Sequence, residues 1–141
     1  MIILDTNVVS EPMKAHGDPR VRAWLDRQAI ATLYLTATSL AELLTGVEML
    51  PEGRRRQGLA AALSDLLEKL FSSRILPFDK QAAVAYAQLV SRARAEGKIL
   101  SVGDGQIAAM AAVQGFTVAT RDTAPFVAAG VPVINPWEAR Q

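Results

Sequence analysis

The chain has 141 residues, half of them hydrophobic, and a formal net charge of +1. That length fits one domain, residues 1–141, with apolar content enough for a core without covalent staples. The absence of cysteine excludes disulfides, zinc–thiolate sites and cysteine nucleophiles, and the near-neutral charge means that a nucleic-acid partner would need local basic patches.

No basic leader precedes the short apolar start. No apolar run approaches the ~18 residues of a membrane-spanning helix. The expected location is therefore a reducing one, the cytoplasm, with no membrane partner.

Met1 to Leu4 is an apolar run with no polar face, which predicts a short strand buried on both sides and central in a parallel sheet. It stops at Asp5, just past the carboxyl end, where open α/β sheets bind ligands. Asn7 to Ser10 begins a short helical segment ending near Pro12, and Gly17-Asp18-Pro19 signals a turn. Asp18 as cap and Pro19 in the first turn open a helix with Val21, Trp24, Leu25 and Gln28 at helical spacing. Leu33-Tyr34-Leu35 is a second strand. Thr38 or Ser39 caps a largely buried helix carrying Leu40, Leu43, Leu44 and Val47, broken at Pro51-Glu52-Gly53. Arg54, Arg55 and Arg56 start a longer helix with Leu59, Leu63, Leu66, Leu67 and Leu70 on one face.

Ile75 to Phe78 is a third strand. Asp79 caps a helix that turns Val84, Ala87 and Val90 inward and runs to about Gly97. A loop containing Gly103 and Gly105 leads into a helix over Ile107 to Val113, which Gly115 ends as a left-handed cap. Phe116 to Ala119 is a fourth strand, Thr123 to Ala129 a short helix, and Val131 to Ile134 a fifth strand closed by Asn135-Pro136-Trp137. Strands alternating with helices predict an α/β fold, a single domain around a parallel sheet with right-handed crossovers.

Four acids stand out against this layout. Asp5 and Asp122 each follow a strand, and each has the ordinary alternative of a helix N-cap. Glu42 shares a helical stripe with Thr38, Thr45 and Gly46, where a solvated face would usually carry lysine, arginine or more glutamates. Asp104 suits a capping box with Ser101, yet its helical neighbours Ile107, Ala108 and Ala111 form an inward face, where an acid needs a partner. Gly103 and Gly105 beside it would let another group approach the backbone closely. Four carboxylates converging at one sheet edge would repel, and a divalent metal would remove that repulsion. An all-oxygen ligand set selects Mg2+, with Mn2+ as a possible substitute, over zinc or copper. One or two such ions would activate a water and stabilise an in-line displacement at phosphorus.

In this order and spacing, Leu4-Asp5-Thr6-Asn7-Val8 with Ser10-Glu11-Pro12, Ala41-Glu42-Leu43 with Gly46, Ile75-Leu76-Pro77-Phe78-Asp79, Asp104 with Ile107-Ala108-Ala109, Thr120-Arg121-Asp122 and Asn135-Pro136-Trp137 form a pattern. Over essentially its whole length the chain resembles the PIN-domain ribonucleases. More closely it resembles the VapC and FitB type, the toxins of bacterial toxin–antitoxin pairs. The resemblance implies a sheet of about five short strands in the order 3-2-1-4-5, flanked by helices. It implies magnesium binding by Asp5, Glu42, Asp104 and Asp122, supported by Thr6, Asn7 and Thr120. Many relatives carry asparagine where this chain has Asp122, and the aspartate favours a fuller four-acid site. A homodimer is implied too, inhibited by a small antitoxin with a DNA-binding amino-terminal part and a tail that enters the toxin groove. Operator DNA would be bound through the antitoxin.

The expected activity is a metal-dependent endoribonuclease that cuts RNA phosphodiesters. Candidate contacts to the RNA backbone are Arg54, Arg55 and Arg56, and separately Arg92, Arg94 and Lys98, although each also suits a solvated helix face. The one histidine, His16, lies in a polar loop, so two-histidine ribonuclease chemistry would need subunits that share a site. Trp24 and Trp137 read as packing residues rather than platforms for stacked bases. Two other readings compete. A haloacid-dehalogenase-like phosphatase uses a strand-end aspartate as nucleophile, but wants an acid two residues on, where this chain has Asn7. A non-catalytic module that binds RNA or an antitoxin would not need four well-placed acids. No G-x-G-x-x-G follows the first strand, which argues against a nicotinamide-binding domain.

Overall fold

Side chains on a strand alternate between faces, and the short strand at the centre of this protein shows why its sequence is apolar throughout. In the computed structural model, which describes residues 1–138, Ile2–Leu4 forms β1. The last three residues of the expected 1–141 domain lie outside the described residues. Leu4 enters one apolar cluster with Val8, Val9, Trp24, Leu33, Leu35, Phe71 and Trp137. Ile3 enters the other with Ile107, Ala108, Val118, Phe126 and Val131. A strand with a core on each side can have no polar face.

The remaining strands are β2 (Leu33–Thr36), β3 (Ile75–Leu76), β4 (Thr117–Ala119) and β5 (Val133–Ile134). All pairings are parallel, in the order β3-β2-β1-β4-β5. β1 thus lies between β2 and β4, with Ile3 opposite both Tyr34 and Val118. The chain leaves β1 toward one edge and later returns to its other side. This reversal makes the crevice at the carboxyl ends of β1 and β4 the topological switch point. β3 and β5 are shorter than the runs Ile75 to Phe78 and Val131 to Ile134, whose prolines have no N–H for a ladder.

Seven helices cover the two faces: α1 (Thr6–Ser10), α2 (Pro19–Asp26), α3 (Ala37–Glu48), α4 (Arg54–Leu70), α5 (Lys80–Ala95), α6 (Val102–Gln114) and α7 (Ala124–Ala128). Among the described residues, no helix is long and apolar enough to cross a membrane. Asp18 caps α2 by accepting from the Arg20 N–H, Asp79 caps α5, and Gly115 closes α6 at φ 71°, each as its residue type predicts.

Four local expectations are corrected. α3 starts earlier than Thr38 or Ser39 suggested, because the Thr36 hydroxyl at the end of β2 accepts from Ser39 N–H at 3.0 Å. α3 is also not largely buried. Ser39 is its one fully buried residue and Leu44 is 47% exposed. α5 turns Ala82, Leu89 and Ala93 inward, whereas Val84 is 53% exposed. Small alanines win the inward positions there because α6 packs close, and Gly105 shows how close. A Cβ on Gly105 would stand 2.7 Å from Tyr86 Cε2. Gly103 and Gly105 therefore lie within α6 rather than in a loop, since Ser101 already caps the helix.

Arg74 is a structural residue that carries no sequence signal. Its guanidinium donates to the carbonyls of Leu33 at 2.8 Å, Ile30 at 2.9 Å and Leu70 at 2.7 Å. It thereby ties the end of α4 to the entry of β2. Arg74→Met keeps the apolar stem and removes the donors. The expected loss is about 2–3 kcal/mol, the usual scale for hydrogen bonds to a charged group. Urea denaturation checks it, and a loss below about 0.5 kcal/mol would mean that water replaces the guanidinium there at no net cost.

Candidate active site

Asp5 sits where β1 becomes α1. Its N–H extends the ladder to Ala119 O at 2.9 Å, and its own carbonyl accepts from Val8 N–H. Asp5 Oδ1 accepts from the Thr6 N–H at 2.8 Å, so the residue is indeed the N-cap of α1. Asp5 Oδ2 accepts from the Thr120 hydroxyl at 2.8 Å, across from the end of β4. Oδ1 also accepts a long bond from the Thr6 hydroxyl at 3.5 Å, so Oδ2 is the oxygen with a further lone pair for the crevice. The side chain is held from both sides while only 7% of the residue is exposed. Burial raises the Asp5 pKa, against the lowering effect of the Thr120 and Thr6 hydrogen bonds, and the Asp104 charge raises it further.

Glu42 reaches the same place from α3. It projects from the exposed side of that helix, but its carboxyl group meets α6, because a Cβ on Gly103 would lie 3.1 Å from Glu42 Oε1. The group approaching Gly103 is thus the Glu42 carboxylate, and the group approaching Gly105 is the Tyr86 ring. Burial raises the Glu42 pKa first. The charges of Asp5 and Asp104 add to it, and the Thr6 hydroxyl opposes them. Thr6 therefore lies between two of the acids.

Asp104 occupies the first turn of α6, half-buried. Its N–H donates to Ser101 Oγ at 3.1 Å. Among the described residues, the reciprocal half of a capping box, from Ser101 N–H to the Asp104 carboxylate, is not formed. The cap occupies the backbone and leaves the carboxylate for the crevice. Thr38 and Gln106, which sequence reasoning did not connect, join the two helices: the Thr38 hydroxyl donates to Gln106 Oε1 at 2.8 Å. That bond fixes the spacing of α3 and α6, and so of Glu42 and Asp104. A threonine one turn before Glu42 and a glutamine two residues after Asp104 were the available signal.

Asp122 stands apart. It is exposed, and its N–H donates to Thr120 Oγ1 at 3.2 Å. Its charge is not among those that shift Asp5 or Glu42. It borders a surface hollow with Lys98, Leu100 and Pro125. Nor is it a helix cap, because Thr123 occupies that position of α7 with a helical backbone and no side-chain bond. Asn7 bridges the same elements, its Oδ1 accepting from Arg121 N–H at 3.3 Å.

The structure thus gathers Asp5, Glu42 and Asp104, supports them with Thr6 and Thr120, and ties Asp122 to them through the backbone. Among the described residues, none of these four acids forms an ion pair with lysine or arginine. Nor do any three acids stand as a ready-made ligand cage. The donor set nevertheless fits a hard divalent ion, because such ions take oxygen ligands and keep several waters around one or two carboxylates. Of the basic candidates, Arg56 pairs with Glu48 and Lys98 with Glu96 at 3.9 Å. Arg54, Arg55, Arg92 and Arg94 lie exposed on α4 and α5. An open, mostly apolar groove, lined by Met13, Leu43, Val47, Leu50, Leu59 and Leu63, begins at Glu42.

The chain is 49% identical over 138 residues to VapC ribonuclease Y4jK of Sinorhizobium fredii, covering 98% of this chain and 99% of that protein. It is 47% identical over 137 residues to Toxin FitB of Neisseria gonorrhoeae, covering 97% and 99%. The solved structure of FitAB bound to an IR36 DNA fragment superposes with a TM-score of 0.95 at 45% identity, covering 100% of this chain and 99% of that one. Residues 2–131 match the PIN domain family. With the family match over residues 2–131, near full-length relatives and the same fold in agreement, the chain belongs to the PIN-domain family.

Proposed function

We propose that the protein is a Mg2+-dependent endoribonuclease, the toxin of a toxin–antitoxin pair, with Asp5, Glu42, Asp104 and Asp122 as its acids. The observation that carries this reading is the convergence of Asp5, Glu42 and Asp104 on one crevice, where among the described residues none of them pairs with a lysine or arginine and where burial and neighbouring charge both oppose the ionised forms of Asp5 and Glu42. Carboxylates held against their own charge are poised for a cation. When bound, the divalent ion, Mg2+ or Mn2+, supplies a Lewis acid that activates water and balances charge on the phosphoryl group.

The chain's own residues do the positioning. Thr6 and Thr120 orient the two oxygens of Asp5. Gly103 leaves room for Glu42, and the Thr38–Gln106 bond holds its helix against that of Asp104. Asp122, on the rim, completes the charge. Asn7 is occupied with Arg121 N–H, which speaks against a phosphatase that needs a general acid at that place.

The relatives named as a VapC ribonuclease and as Toxin FitB, and the likeness to FitAB on DNA, support RNA as substrate and a small antitoxin as partner. The antitoxin's amino-terminal part would contact operator DNA. Its tail would lie in the groove that opens at Glu42. The toxin would act as a homodimer in the cytoplasm, where its RNA is.

The test is cleavage of a mixed pool of structured RNAs by partner-free protein with Mg2+, with Mn2+ and with a chelator. Cleavage that depends on the metal is expected. A binding module is the competing reading. RNA binding without cleavage under any metal would decide for that module.

A further inference from the structure

We infer that Arg121 is the cation that holds a backbone phosphate of the RNA beside the acids, an inference that rests on the ribonuclease reading above. Three carboxylates repel a polyanion, and the divalent ion at the acids serves the reacting phosphate only, so a neighbouring phosphate of the strand gains from a further positive charge close by. Among the described residues, the basic residues of α4 and α5 form no ion pair with the acids, and Arg56 and, just beyond α5, Lys98 are already paired. Arg121 differs in that its backbone is tied to the residues that hold the acids. It directly follows Thr120, whose hydroxyl is bonded to Asp5, and its own N–H is bonded to Asn7 Oδ1. Its backbone is therefore fixed to both chain segments that end at the crevice.

Its side chain is exposed, and among the described residues it forms no ion pair. Asp18, whose carboxylate feels the Arg121 charge, is bonded to Arg20 instead. The guanidinium lies over the Trp137 ring, 5.2 Å from its centroid. That ring is buried in the core, and the Trp137 backbone N–H donates to Asn135 Oδ1 at 3.0 Å. A guanidinium carries its five donors in its own plane, so an aromatic surface against its face leaves the donor fork open to an anion. Resting on a fixed ring also lowers the entropy lost when the fork binds. The fork matches a phosphate's two oxygens. Trp137 is thus a packing residue, as its sequence context suggests, and also the support for this arm.

The experiment uses the full chain in an Asp5→Asn background, where nothing is cut, and a fluorescein-labelled pool of single-stranded RNA. Binding is read by anisotropy from 50 to 200 mM salt for that protein and for its Arg121→Ala and Arg121→Lys derivatives, each shown folded by melting. Arg121→Ala is expected to weaken binding about tenfold and to reduce the salt slope by about 0.7, the value for one phosphate contact on a single strand. Arg121→Lys is expected to restore the slope, because the charge returns, without the full affinity of the fork. Equal affinity in Arg121→Ala, or weaker affinity with an unchanged slope, would overturn the inference and leave the ribonuclease reading standing. No binding by the parent Asp5→Asn protein would overturn both.

Discussion

Asp5→Asn is expected to abolish metal-dependent RNA cleavage, by on the order of 100-fold or more, while raising the melting temperature of the metal-free protein at neutral pH. The two effects come from one geometry. Asparagine is isosteric with aspartate, and its Oδ1 can still accept from the Thr6 N–H that caps α1. Its amide can donate to Thr120 Oγ1, whose hydroxyl is free to rotate. The fold therefore keeps its cap and its tie across the switch point. What disappears is a buried negative charge that its surroundings oppose, through burial first and then through Asp104. Removing it relieves Glu42 as well, since Asp5 is the larger of the two charges raising that group. Melting in chelator and RNA cleavage in Mg2+, run on the same preparation, check both halves. Wild-type cleavage by the variant would remove Asp5 from the machinery. A lower melting temperature would show that the hydrogen bonds to the carboxylate outweigh its repulsion.

The parts of this site legible in the sequence were those set by strand ends. Asp5 follows an apolar run with no polar face, and two cores around β1 explain that run. The contribution of α3 was legible for a different reason from the one the pattern suggests. Glu42 does not lie on a buried helix. Half of α3 is exposed, Glu42 included, and the Glu42 carboxylate lies against α6 where Gly103 admits it. Periodicity reports which face of a helix is apolar, but it does not report which neighbouring helix stands next to its polar face. The same limit hid the Thr38–Gln106 bond, between residues 68 apart in sequence, and the three carbonyls gathered by Arg74. Asp122 shows the converse. Its position after β4 mirrors that of Asp5, yet the chain turns at Arg121 and leaves the Asp122 side chain at the rim. A backbone turn of this kind depends on tertiary contacts, here Asn7 and Trp137, that no local spacing encodes.

RNA cleavage is expected to fall steeply on acidification, beginning above the ordinary carboxylate values of 3.8 for aspartate and 4.5 for glutamate. Both Asp5 and Glu42 have raised pKa values, so protons reach them earlier than they reach an exposed acid. If both must be ionised, the rate approaches a loss of about two decades per pH unit. Stability moves the other way. A carboxyl group whose pKa is higher in the folded state subtracts from stability when charged, fully so at pH above its folded pKa. That penalty is lifted as the pH falls through the folded pKa and is gone below the unfolded value. Asp18, whose pKa is lowered by Arg20, has the opposite sign and loses its contribution on acidification. The overall melting curve mixes such groups, so the informative quantity is the difference between Asp5→Asn and wild type in chelator. It is expected to be largest at neutral pH and to close as the solution is acidified, over the same range in which cleavage fails. Mg2+ at neutral pH is expected to raise the melting temperature of wild type well above that of its own metal-free form, and to do so far less in Asp5→Asn, because the ion removes the same repulsion that the substitution removes. A melting difference that stays constant with pH while cleavage falls would mean that a group other than Asp5 and Glu42 controls the rate.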